Sequence, residues 1–208
     1  MNTSVATRRY ASLHQAETKM SSLASHNHIV RSYFDIARKT AHEVVNSTLE
    51  NDKCSKSAVT ILMSVAAVEA YINIFGRMWV EQIPGFVHAK KILDDLKNRK
   101  FITYKIRTWP KFFFGKNLDL AHGGGRDFLE LIEKRNYLLH FTSDYHTLQF
   151  ENVTIKGLVD STVFDSLTAA DAVDAICKAE GFIEAWIRLQ RLEEYNVVNA
   201  TASWTGKM

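Results

Sequence analysis

Apolar residues recur at three- and four-residue steps over most of this chain. Val30, Phe34, Ala37, Ala41 and Val44 form one stripe and predict a helix over 27–49. Asn51-Asp52-Lys53 reads as a turn, after which Ser55 or Ser57 caps a second helix reaching about residue 80. That helix is apolar nearly all round, so it is expected at the centre of the fold. Pro84-Gly85 ends it, and a shorter helix over 87–97 follows. The basic and aromatic stretch 99–119 fits neither template. Gly123-Gly124-Gly125 breaks the pattern and reads as a flexible hinge. A third long helix then carries Phe128, Leu131, Ile132 and Leu139 on one face and ends near His140.

Between residues 145 and 159 the period changes to two, with Leu148 and Phe150, then Val153 and Ile155, which predicts a small β-hairpin. Thr168 and Asp171 are spaced as a helix cap. The last long helix extends to about residue 192, with Val173, Ile176, Ile183 and Trp186 facing inward. Residues 1–26 form an N-terminal extension and 196–208 a loose tail. Only 2 Pro interrupt the chain, so long helices are allowed almost everywhere. The expected architecture is all-α: a four-helix up-and-down bundle over 27–195, with a helical insertion at about 86–119 and the hairpin.

Composition narrows the class. Hydrophobic residues make up 46% and charged residues 24%, the balance of a globular domain. Cys54 and Cys177 are too few and too far apart for a disulfide framework or a zinc site. The first ten residues lack an apolar leader, and the run 59–68 is interrupted by Glu69 and Asn73, too short to span a bilayer. A reducing cytoplasm, with no membrane partner, is the expectation. The net charge of +3 is unevenly spread: residues 86–116 hold nine Lys and Arg against two Asp, so this stretch carries +7 and the remainder −4. A polyanion-facing surface belongs there.

The stripe of the third long helix contains a charge. Arg135 falls among Phe128, Leu131, Ile132 and Leu139, and a guanidinium in such a place needs a partner. Glu69 is the matching anomaly on the second helix, among Leu62, Val65, Ala66 and Ile72, with Asn73 one turn later. Glu69 and Arg135 are therefore expected to meet inside the bundle, either as a structural ion pair or as part of a site. His140 lies about 140° from Arg135 on an ideal helix. The two converge only if the helix ends there or a second chain supplies its own copy. The helix C-terminus favours an imidazolium at that position.

Arg135-Asn136-x-x-x-His140, late in the third of four helices, resembles the motif of the HEPN superfamily: an arginine, four to six residues, then a histidine, often with a polar residue after the arginine. The stretch Val68-Glu69-Ala70-Tyr71-Ile72-Asn73 resembles the acidic position on an earlier helix in many members. Arg8 and Arg9 stand at similar distances from His14, but they precede the bundle and lack the apolar helix. The resemblance implies a HEPN-type bundle and a metal-independent endoribonuclease without cofactor, of toxin or antiphage-defence type, cutting RNA at a homodimer interface. It implies that His140 is the general acid or base, that Arg135 stabilises the phosphorane, that Asn136 orients His140 or a phosphate oxygen, and that Glu69 holds Arg135. It also implies an antitoxin or other regulatory protein partner. The alternative it leaves open is a catalytically inactive module that binds RNA, nucleotide or a protein. A purely structural helical adaptor would keep the Glu69–Arg135 pair and give His140 no task.

Arg99, Lys100, Lys105, Arg107 and Lys111 alternate with Phe101, Tyr104, Trp109, Phe112, Phe113 and Phe114. Cations for phosphates and rings for bases suit a single-stranded RNA surface. The competing reading places the rings in the core and the lysines on a solvated face. No metal site is expected: His26 and His28 have no third ligand nearby, and Asp160, Asp165 and Asp171 are not spaced as a cluster.

Overall fold

A computed structural model describes residues 26–139, 146–150, 153–158 and 161–207. His140 and most of the N-terminal extension, with Arg8, Arg9 and His14, lie outside the described residues. The described chain is helical apart from one hairpin. Its elements are α1 (His28–Asn46), α2 (Glu50–Gln82), α3 (Ala89–Lys97), α4 (Ile102–Phe114), α5 (Gly123–Leu139), β1 (His146–Phe150), β2 (Val153–Leu158), α6 (Thr162–Asp165), α7 (Ala169–Arg188) and α8 (Glu194–Thr205).

The α1 stripe is buried as its spacing requires, at Val30, Phe34, Ala37, Ala41 and Val44. The following turn is Ser47–Leu49 rather than 51–53. Glu50 and Asp52 occupy the first turn of α2, where the helix dipole favours acids. Neither Ser55 nor Ser57 caps: Ser55 Oγ donates to the Asn51 carbonyl and Ser57 Oγ to that of Thr168. At 33 residues α2 is long and apolar enough by composition to cross a membrane, which corrects the short span read from the sequence. Much of its apolar length, however, is covered by protein: 56% of the most hydrophobic window is buried. It packs against α1, α3, α4, α5, α6 and α7.

The long helices are pinned in alternating order. Lys56 meets Glu43 between α1 and α2. Along α5 and α7, Gly124 meets Gly181, Glu130 pairs with Lys178 and Lys134 with Asp171, so these helices run antiparallel. Ser57 against Thr168 and Phe75 against Trp186 run in the same order, so α2 and α7 are parallel. Phe75, Trp79, Phe113, Phe114 and Trp186 form an aromatic cluster that fastens α4 to the bundle. The capping box at the start of α7 is complete, Thr168 and Asp171 each satisfying the other's backbone N–H.

The glycine triplet is a packing device rather than a hinge. A Cβ at Gly124 would stand 2.4 Å from the Gly181 carbonyl oxygen, and Gly125 is buried against the Asp119 carbonyl. The C-terminal residues are likewise not loose. Val197, Thr201 and Thr205 are buried at four-residue steps along α8, and Trp204 meets Tyr71 edge-on with ring centres 4.9 Å apart. Arg38 Nη2 donates to the Thr205 carbonyl at 2.7 Å and to Glu180 Oε1 at 2.8 Å, tying the end of α8 to α1 and α7. Val173 faces solvent rather than the core, and α7 stops at Arg188. The hairpin pairs Leu148 with Ile155 and Phe150 with Val153, within the predicted span.

Candidate functional site

The outward face of α2 carries Leu62, Ala66, Glu69, Asn73 and Arg77, one above another at three- and four-residue steps. Two grooves open along it and share Glu69 as a wall. The first, of about 280 Å³, lies between α2 and the last turn of α5 and is lined by Leu62, Val65, Ala66, Glu69, Arg135 and Leu139. Here Arg135 Nη2 stands 3.9 Å from Glu69 Oε2, and Arg135 Nη1 donates to Asn136 Oδ1 at 3.2 Å.

The two partners are not buried: the Arg135 side chain is 21% exposed and that of Glu69 41%. Lys134 pairs with Asp171 in the first turn of α7, so the residues of α5 beyond it run past the start of α7. The stripe thus continues off the edge of the core. Leu138 turns into the core and Leu139 is exposed, the reverse of the periodic expectation.

The second groove, of about 720 Å³, lies between α2, α3 and α4. Glu69, Asn73 and Arg77 form one side, and Leu93, Leu96 and Lys97 of α3 another. Arg99, Lys100 and Lys105 complete it. Five cations therefore face one carboxylate. Lys105 is 2% exposed, and its ammonium donates to Asn73 Oδ1 at 2.6 Å. Burial pushes its pKa below the usual value, opposed by the nearby Glu69 and Asp95 carboxylates. Asp95 is itself buried, accepting from Trp109 Nε1 at 3.1 Å and from Lys91 Nζ at 2.8 Å. That hydrogen bond, followed by one with Tyr104, raises the Lys91 pKa.

Arg99 reaches this groove through a strained backbone. It has φ of 48°, with its N–H on the Leu96 carbonyl and that of Lys100 on the Asp95 carbonyl. This is the Schellman ending of a helix, whose left-handed position glycine normally fills.

The structure thus brings Glu69 to Arg135, which is bonded to its neighbour Asn136, and places Asn73, Arg99, Lys100 and Lys105 in the second groove, which shares Glu69. Arg107 and Lys111 do not line either groove. The rings of the basic stretch are mostly core: Trp109 and Phe113 are buried and Phe112 and Phe114 half-buried, while Phe101 is 81% exposed. A continuous base-stacking platform is therefore absent from α4. Lys97 belongs to the basic stretch 86–116, but Arg77 was not anticipated, although it follows Asn73 by four residues on the same face, a signal legible in the sequence. Among the described residues no group of three or more His, Cys, Asp and Glu is placed to hold a metal ion. No protein-family model, curated protein or solved structure matches this chain.

Proposed function

We propose that this chain is a HEPN-like, metal-independent endoribonuclease of toxin or antiphage-defence type, acting as a homodimer and restrained by a regulatory protein partner. The alternating α1, α2, α5 and α7 suit the up-and-down bundle this reading requires. The observation that carries it is the position of Arg135: beside Asn136, held by Glu69 at 3.9 Å, and open to solvent in a groove that adjoins five cations. A guanidinium held in an accessible groove can meet a phosphate, whereas one sealed in a core cannot.

In this reaction His140 accepts the proton of a ribose 2′-hydroxyl as its oxygen forms a bond to the adjacent phosphorus. The bond from phosphorus to the 5′-oxygen breaks, and that oxygen takes up a proton. The products are a 2′,3′-cyclic phosphate and a 5′-hydroxyl. Arg135 stabilises charge on the phosphorane oxygens, and Asn136 orients His140 or one of those oxygens. Glu69 and Asn73 set the groove wall, and Arg99, Lys100 and Lys105 attract the strand.

A silent RNA- or nucleotide-binding module is the second reading, favoured by the concentration of cations in the groove away from Arg135. Incubating RNA with the protein in EDTA, beside His140→Ala and Arg135→Ala, separates the two. Cleavage by wild type alone supports the nuclease, and RNA binding without cleavage supports the silent module. If neither activity appears and both variants only lose stability, both readings fail.

A further inference from the structure

We infer that the groove between α2, α3 and α4 is a binding site for a terminal phosphate, the phosphomonoester of a nucleotide or of an RNA end. It extends beyond the proposed nuclease reading, because it requires only binding and holds whether or not Arg135 takes part in cleavage.

The charge balance comes first. Arg77, Lys97, Arg99, Lys100 and Lys105 surround the groove against Glu69 alone. Among the described residues Lys97 and Arg99 have no acidic partner, and Arg77 meets Glu81 only at 3.8 Å on the exposed surface. Such an excess of cations suits a dianion better than the single charge of a phosphodiester.

The shape of the donor set adds to this. Lys105 is buried at the α4 wall, and one of its three N–H bonds is spent on the neutral Asn73 amide rather than on a carboxylate. A ligand atom must enter the groove to reach the remaining donors. A monoester presents three free oxygens to such an approach, and a diester within a strand presents two. The volume of about 720 Å³ is nucleotide-sized. The lining holds Leu93 and Leu96 but no aromatic ring, so the phosphate rather than a stacked base is the recognised group.

Arg99 supplies an independent indication. A side chain at the left-handed position of a Schellman ending is strained where glycine would not be, and this side chain lines the groove. The strain places a cation there that the helix ending itself does not need.

Calorimetric titration of the full chain with adenosine 5′-monophosphate and with adenosine tests the site, alongside short RNAs carrying a 5′-phosphate or a 5′-hydroxyl. Adenosine monophosphate is expected to bind at least about tenfold more tightly than adenosine. Arg99→Gly and Lys105→Gln each weaken it by about tenfold or more, and Lys90→Ala, an exposed lysine outside the groove, leaves it unchanged. Arg99→Gly relieves backbone strain, so its loss of binding is not a loss of folding, which a melting curve checks. Comparable affinity for the mononucleotide and the 5′-phosphorylated RNA marks a free nucleotide as the ligand; markedly tighter binding of the phosphorylated RNA marks an RNA end. Equal binding of adenosine and its monophosphate overturns the proposal. So does full affinity in folded Arg99→Gly, whereas equal binding of the two RNAs excludes an RNA end and leaves the free nucleotide. No readout depends on RNA cleavage, so failure of the nuclease reading leaves this result interpretable.

Discussion

Arg135 Nη2 stands 3.9 Å from Glu69 Oε2, joining the last turns of α5 to the outward face of α2. With side chains 21% and 41% exposed, the pair contributes less than about 1 kcal/mol to stability. Glu69→Arg and Arg135→Glu are each expected to destabilise by about 1 kcal/mol through like-charge contact, and the double variant to recover most of that loss. Urea unfolding of the four proteins measures the coupling. A double variant no more stable than either single one would show that the two side chains do not interact in solution.

Arg99 occupies a left-handed backbone position, with φ of 48°. Arg99→Gly is therefore expected to raise stability by about 1 kcal/mol. Thermal or urea unfolding checks the sign. Destabilisation would mean that the Arg99 side chain contributes more to the fold than the strain costs.

Lys105 gives a pH signature. Burial lowers its folded pKa below the ordinary 10.5. Between the lowered value and 10.5 the unfolded chain binds more protons than the folded one, so this lysine makes stability rise with pH in that window. Lys105→Met removes the titration. The stability of wild type relative to Lys105→Met should increase as pH climbs toward 10.5 and stay level well below the folded value. Urea unfolding at a series of pH values, with a difference that falls on raising pH, would contradict the assignment.

Much of the bundle was legible because its helices obey one period each. The buried residues of α1 are those of its stripe, and the Thr168–Asp171 cap is the one its spacing predicts. The helix α4 was not legible, since Lys105 sits in its buried stripe, Pro110 lies within it, and the rings of 112–114 are contiguous. The burial of α8 escaped because small and polar residues, Thr201 and Thr205, are two of its three buried positions. At the site, the meeting of Glu69 with Arg135 followed from two unmatched charges on apolar faces. Their exposure did not follow, because periodicity locates a face but not the point at which its covering helix begins. The groove around Lys105 depends on contacts between α2, α3 and α4 that no local pattern encodes.

Gly124 distinguishes a hinge from a close contact. A Cβ there would lie 2.4 Å from the Gly181 carbonyl oxygen of α7. Gly124→Ala is expected to cost about 2 kcal/mol, as for other overpacked sites. At Gly85 nothing lies within 4 Å and only the φ of 77° opposes a side chain, so Gly85→Ala should cost about 1 kcal/mol. Equal, small effects in chemical unfolding would restore the hinge.

The proposed reaction is attack of a ribose 2′-hydroxyl on its neighbouring phosphate in the groove that holds Arg135. The most direct test is a single-turnover cleavage in EDTA of an RNA that the wild type cuts, compared with the same strand carrying a 2′-deoxyribose at the cut position. The expected result is a 2′,3′-cyclic phosphate and a 5′-hydroxyl from the all-ribose strand, no cut at the substituted position, and loss of cleavage in Arg135→Ala. Cleavage at the deoxyribose, or an Arg135→Ala protein that cuts as fast as wild type, would contradict the account.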